Sequence, residues 1–197
     1  MHKDRYLRDA EAPLLAFIVD FAPRLKAISP RFVADPRRTG GSMFRIYRDT
    51  RFSEDKSPLK TWVSARFTHD GRRGEFHVPS FYLHLEPGDC MGGGGIYHPD
   101  PATLRRIRDR IVAAPREWDA VLKHGLDIEG DTLQRVPSGF DPAHRFANDV
   151  KRKDHYTLVS FNAREVCSKD FLDICTAACE RAAPLVAFVT RALGLRW

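Results

Sequence analysis

The chain has 197 residues, long enough to enclose a hydrophobic core and short enough that one domain over 1–197 is expected. At 43% hydrophobic and 29% charged residues it has the composition of an ordinary folded protein, and no apolar run approaches the roughly 18 residues of a membrane span. The net charge of +6 is unevenly placed: ten basic and four acidic side chains lie between Arg24 and Lys60, which accounts for the whole excess.

The segment Met1 to Asp9 has no apolar stretch of the kind a secretory signal needs, so a cytoplasmic location is expected. From Leu7 to Ile28 apolar residues recur three or four apart, which predicts an amphipathic opening helix that starts or kinks at Pro13 and bends or breaks at Pro23. Asp35-Pro36 and Thr39-Gly40-Gly41-Ser42 read as a turn-rich linker. Three alternating segments follow. Phe44 and Ile46 oppose Arg45 and Tyr47; Thr61, Val63, Ala65 and Phe67 oppose Trp62, Ser64 and Arg66; Phe81, Leu83 and Leu85 oppose Tyr82, His84 and Glu86. This period of two predicts strands with one apolar face and one face offering guanidinium, phenol, imidazole and carboxylate.

Turn residues at His69 to Gly74 and at Glu86-Pro87-Gly88-Asp89 make the meander antiparallel, with a fourth strand through Cys90 to Tyr97. Asp100-Pro101 opens a helix and Pro115 another. Strands are expected at Thr132–Val136 and His155–Val159 on either side of a helix near Pro142, and a last helix runs from after Ser168 to Gly194. The class is therefore α+β: an antiparallel β-meander sheet with helices packed on its apolar face. Cys175 and Cys179 share a helix face as small buried residues, and the four cysteines form no C-x-x-C pair. No metal centre and no cofactor is expected.

The densest chemistry lies between Phe44 and Lys60, where five cations and three anions occupy one short segment. Arginine forks hold carboxylates or phosphates in fixed geometry, so this surplus points to an anion site. Candidate ligand-binding residues are Arg45, Tyr47, Arg48, Asp49, Arg51, Asp55, Lys56 and Lys60. Tyr82 and His84 join them from the polar strand face, with Gly93 and Gly94 from the glycine tract and Arg135 from the C-terminal half. The competing structural reading pairs Arg48, Arg51 and Lys56 with Asp49, Glu54 and Asp55 as an internal network. His84 with Glu86 two residues on has the makings of a general acid/base steered by a carboxylate. The four glycines are neither a Walker loop nor a dinucleotide turn; they admit either another backbone or a flat ligand at close range.

The blocks Arg45-x-Tyr47-Arg48-Asp49-Thr50-Arg51-Phe52-Ser53-x-Asp55-Lys56-Ser57-Pro58-x-Lys60, Phe81-Tyr82-Leu83-His84-Leu85-Glu86-Pro87, the glycine tract with Pro99, and Gly130-Asp131-x-Leu133-x-Arg135-x-Pro137-x-Gly139-Phe140-Asp141 carry a resemblance across essentially the whole chain. They resemble a family of uncharacterised proteins, domain of unknown function 2461. The resemblance implies an α+β fold and no established activity. The chain departs from the family pattern at Leu59 and Phe140, where Tyr is usual, and at Gln134, where Lys is usual. Relatives also usually carry a further stretch ahead of Lys3-x-Arg5-Tyr6, so the expectation is either a start upstream of Met1 or a first helix that lacks part of its length, with the upstream start favoured.

The leading expectation is a pocket for a small phosphorylated or carboxylated ligand, with or without catalysis. The alternatives are a nucleic-acid-binding module that uses Trp62 and Tyr47 as stacking platforms, or a protein-interaction scaffold whose charged loop is the interface.

Overall fold

The computed structural model describes residues 3–47, 59–72, 74–75 and 77–197. The opening helix begins earlier than expected: α1 (Lys3–Tyr6) passes through a π-turn at Leu7–Glu11 into α2 (Ala12–Ile28). The wide turn lies immediately before Pro13, where the Ala12 amide donates to the Leu7 carbonyl. A proline cannot donate to the carbonyl four residues back, and the widened turn absorbs that defect. Pro23 does not break α2, whose buried stripe Leu14, Ile18, Phe21 and Leu25 holds it against the rest of the protein.

Five strands follow: β1 (Phe32–Val33), β2 (Val63–His69), β3 (Ser80–Glu86), β4 (Asp89–Ile96) and β5 (His155–Phe161). They form one antiparallel sheet in the order β1-β2-β3-β4-β5. The expected first strand at Phe44–Tyr47 is not a strand. Met43 and Tyr47 form only isolated bridges, to Ala65 and Leu59. Phe32–Val33 takes the C-terminal half of the β2 edge, and a loop tied by Ser42 and Asp35 returns the chain to its N-terminal half. Two short segments thus share an edge that alternation had assigned to one.

Between β4 and β5 lie α3 (Pro101–Ala113), α4 (Pro115–Leu122) and α5 (Ala147–Val150). Asp100 caps α3 by accepting from the Ala102 and Thr103 amides, at 2.9 and 3.0 Å, and the bonds from the Thr103 amide and then its hydroxyl hold the carboxyl below the usual range. The strand expected at Thr132–Val136 reduces to an isolated bridge between Thr132 and Arg152, and the chain around Pro142 forms turns rather than a helix. The reason lies in buried Asp154, which accepts from the Asp131 amide while Gly130 packs on its Cβ, so local bonding rather than a ladder fixes this segment.

After β5 come α6 (Ala163–Val166) and α7 (Phe171–Ala192). The alternation did not predict α6, although its start is written as a reciprocal cap. Asn162 accepts from the Glu165 amide at 3.0 Å and Glu165 accepts from the Asn162 amide at 2.8 Å. Asn162→Ala is expected to lower stability by about 1 kcal/mol in urea denaturation.

Helices α2 and α7 cover one face of the sheet. Phe21 meets Phe67 at 4.9 Å between ring centroids, and Phe67, Ala65, Phe81 and Leu83 are fully buried beneath the two helices. Cys175 and Cys179 are buried in the same layer. A second cluster, with Ile107, Ile111, Trp118, Leu185 and Phe188, joins α3 and α4 to α7. No described helix is long and apolar enough to cross a membrane. Side chains of opposite parity on β2 to β5 point away from α2 and α7, and the candidate site is built on that face.

Candidate functional site

The β2–β3–β4 register places Arg66 opposite Tyr82 and Tyr82 opposite Gly93; across β4, Gly93 stands opposite Leu158. One step along, Ser80, Gly95 and Tyr156 form the next row. Because the β4 position in each row has no side chain, a trough opens between the side chains of β3 and those of β5. It is a cavity of about 390 Å³. Its described lining supplies the Arg66 guanidinium and four hydroxyls, from Ser80, Tyr82, Tyr97 and Tyr156, with Phe44, Val78 and Leu158 as apolar wall.

Phe44 closes one side, edge-on to Tyr82 with centroids 6.4 Å apart. Tyr97 closes the other, edge-on to Tyr156 at 5.6 Å and stacked on His98 at 3.9 Å. The turn that presents Tyr97 is strained: His98 has φ +45°, and its amide donates to buried Asp154 at 2.6 Å. Asp154 therefore ties the Tyr97 wall to the segment at Gly130 and Asp131.

Arg66 donates to the Glu75 carbonyl at 2.8 Å and lies 5.8 Å from the Phe44 ring. Burial lowers its pKa, the mark of a charge withdrawn from water. Beside it, Lys60 lies 4.1 Å from the Trp62 ring centroid and 5.5 Å from that of Phe44. Burial, and then the nearby Arg45 charge, lower the Lys60 pKa as well. Trp62 packs on the His84 ring at 5.0 Å. His84 is bonded on both sides, through Nδ1 to the Tyr82 hydroxyl at 3.0 Å and through Nε2 to Glu86 at 3.4 Å. Thr61 donates to Glu86, and this bond pulls the Glu86 carboxyl below its usual range. His84, Glu86 and Asp89 bring three potential metal-ligand atoms within 4.8 Å of one another.

Of the residues expected from sequence, Tyr82 and Gly94 line the hollow. Lys60 and His84 stand beside it, and Gly93 lies in its floor strand. Arg45 is exposed near Lys60, and Tyr47 is 62% exposed and outside the lining. Arg135 is exposed on the segment after Gly130 and does not reach the hollow. Arg48, Asp49, Arg51, Asp55 and Lys56 lie outside the described residues.

Sequence reasoning missed Arg66, Phe44, Ser80, Tyr97 and Tyr156 as site residues. The position of Arg66 on the polar face of β2 was a usable signal, whereas Tyr97 and Tyr156 meet only through the pairing of β4 with β5. The glycines serve packing as well as the hollow. A Cβ at Gly94 would stand 2.7 Å from Val186 Cγ2, and one at Gly93 2.1 Å from the Thr157 carbonyl oxygen.

Fold and hollow together define an α+β protein with an aromatic, cation-bearing concavity on the sheet face opposite α2 and α7. The chain belongs to the family of conserved hypothetical proteins DUF2461, which it matches over residues 1–188. No curated protein and no solved structure matches it.

Proposed function

We propose that the hollow binds a small organic anion, with its carboxylate or phosphate at Arg66 and its flat body between Phe44, Tyr82, Tyr97 and Tyr156. The observation that carries this reading is the 390 Å³ concavity above the side-chain-free strip of β4, with a desolvated guanidinium in its wall. A guanidinium carries five donors, of which one holds the Glu75 carbonyl, and the hydroxyl donors around it suit carboxylate or phosphate oxygens. The volume lies at the small end of the range for ligand pockets, which favours a compact molecule. Lys60 and Arg45 at the rim add attraction at longer range.

A nucleic-acid surface would need accessible stacking platforms. Of the two expected platforms Tyr47 is accessible but lies outside the hollow, and Trp62 is flanked by Lys60 and His84, so the pair does not form one stacking surface and the small-ligand reading is preferred.

Phenyl phosphate, with inorganic phosphate and benzyl alcohol as partial probes, tests the proposal by isothermal titration. Arg66→Gln should weaken phenyl phosphate binding at least tenfold, a loss of roughly 1.5–3 kcal/mol for a charge-assisted contact. Equal affinity in the parent and the variant would remove Arg66 from the site.

A further inference from the structure

The two carboxylates at the β3–β4 turn stand directly opposite each other, since the register pairs Glu86 with Asp89. Like charges so placed repel, and among the described residues neither has a lysine or arginine partner. Lys60, at the same end of β2, lies against the Trp62 ring instead. What faces the pair is His84, two residues before Glu86 on the same face of β3, with a side chain only 12% exposed. The turn therefore gathers two anions round a half-buried imidazole without a balancing lysine or arginine.

The spacing of the donor atoms indicates which cation fits. His84 Nε2 and Glu86 Oε2 are 3.4 Å apart. A proton held between a charged imidazole and a carboxylate draws the two atoms to about 2.7–2.9 Å. Two ligands of one tetrahedral ion, each about 2.1 Å from it, stand about 3.4 Å apart. The observed separation is that of a coordination edge. Asp89 completes the triangle, for one donor atom from each of the three side chains lies within 4.8 Å of the others. Asp89 is exposed at the turn, where its side chain has room to rotate and close the remaining edges.

Neighbours outside the triangle hold its members in place. The Tyr82 hydroxyl meets His84 Nδ1 at 3.0 Å, the Thr61 hydroxyl donates to Glu86 Oε1, and Trp62 packs on the imidazole at 5.0 Å. Metal-bound imidazoles and carboxylates are fixed in this way, through the atom that does not face the metal. These bonds leave His84 Nε2 and Glu86 Oε2 facing each other.

We propose that His84, Glu86 and Asp89 bind a divalent transition ion of the zinc class, through one imidazole nitrogen and two carboxylate oxygens. The imidazole donor and the tetrahedral edge suit Zn²⁺, whereas Mg²⁺ and Ca²⁺ take about six or more ligands, chiefly oxygens. Three protein donors leave a fourth position for an oxygen of solvent or ligand, the arrangement of reactive rather than purely structural zinc sites. The site stands apart from the anion reading, which rests on Arg66.

Protein freed of metal with EDTA is titrated with zinc chloride by calorimetry. One Zn²⁺ should bind per chain, and Co²⁺ in its place should give the visible absorption of a four-coordinate ion. Asp89→Asn should weaken Zn²⁺ binding by about 100-fold or more, and Thr61→Val, which frees Glu86, by about tenfold. Urea unfolding separates a ligand from a residue that serves the turn. Metal-free Asp89→Asn should be at least as stable as the parent, because the repulsion with Glu86 is relieved. Zn²⁺ at a concentration that saturates the parent should raise the parent's urea midpoint and leave that of the variant unchanged.

Zn²⁺ uptake absent from the parent, or equal in the parent and Asp89→Asn, would overturn the proposal. So would a metal-free Asp89→Asn that unfolds at lower urea than the parent, since Asp89 would then hold the turn itself. Displacement of Zn²⁺ by equimolar Mg²⁺ would refute the class of ion. Phenyl phosphate binding and its response to Arg66→Gln bear on the hollow alone, so the two readings fail separately.

Discussion

Gly93→Ala is expected to abolish folding, or at least to cost more than about 4 kcal/mol, whereas Gly92→Ala one residue away should cost about 1–3 kcal/mol. The contrast comes from what the added methyl group meets. At position 93 it would stand 2.1 Å from the Thr157 carbonyl oxygen and 3.0 Å from Leu158 Cα, both backbone atoms of β5. These atoms belong to the β4–β5 ladder and cannot retreat without parting the two strands. At position 92 the methyl would press on the Phe161 ring, at 2.9 Å, while the Tyr82 carbonyl oxygen stands at an ordinary 3.6 Å, and a side chain can tilt. Gly95 resembles Gly93, with the His155 carbonyl oxygen 2.2 Å from its added Cβ and a φ of +146° that other residues rarely adopt. Urea denaturation of the Gly92 variant, beside the soluble yield of the Gly93 variant, measures the difference. Equal stability would mean that β4 and β5 do not approach as closely as the structure has them, and the floor of the hollow would lose its explanation.

Acidification from pH 7.5 to pH 4.5 should destabilise the fold by about 3 kcal/mol through His155 alone. This residue on β5 is fully buried, near the Trp118 ring, and neither of its ring nitrogens has a hydrogen-bond partner among the described residues. Burial first, and then the charges of Arg152 and Arg108, push its pKa down from the usual 6.5 to about 3. The unfolded chain therefore takes up a proton below pH 6.5 that the folded chain refuses. The stability that neutral His155 preserves is complete above pH 6.5 and is lost progressively as pH falls toward about 3. Two pH units of unmatched protonation, at 1.36 kcal/mol each, give the expected loss of about 3 kcal/mol. His155→Leu removes the titrating group but keeps an apolar side chain under Trp118. Urea unfolding at the two pH values should show the parent losing about 3 kcal/mol more than the variant on acidification. Parallel losses would mean that His155 is hydrated or hydrogen-bonded in the folded protein.

The legible part of the fold was the part governed by local period. Alternation alone set the two faces of β2 and β3, and Phe67, Phe81 and Leu83 are buried on one side while Arg66, Tyr82 and His84 share the other. The Pro and Asp signals fixed the starts of α3 and α4. Alternation failed at Phe44–Tyr47, because pairing along the β2 edge depends on how the chain returns from Asp35 to Ser42, a tertiary matter. Thr132–Val136 misled in the same way, with Asp154 supplying bonds that a local pattern cannot show.

At the site, the bare glycine strip and the Tyr82–His84 face were readable one strand at a time. The hollow itself was not, since it exists only where Tyr97 and Tyr156 from β4 and β5 rise beside a strip whose bareness β5 and α7 require. The charge surplus drew attention to the chain before Lys60, yet the desolvated arginine that lines the hollow is Arg66, which alternation had marked only as polar-facing.

A crystal structure with phenyl phosphate bound tests the central claim most directly. The expected result is ligand density within the hollow, the ring between Phe44 and Tyr156 and phosphate oxygens about 3 Å from the Arg66 guanidinium. A hollow filled by the protein's own side chains, or phenyl phosphate seated away from Arg66, would contradict it.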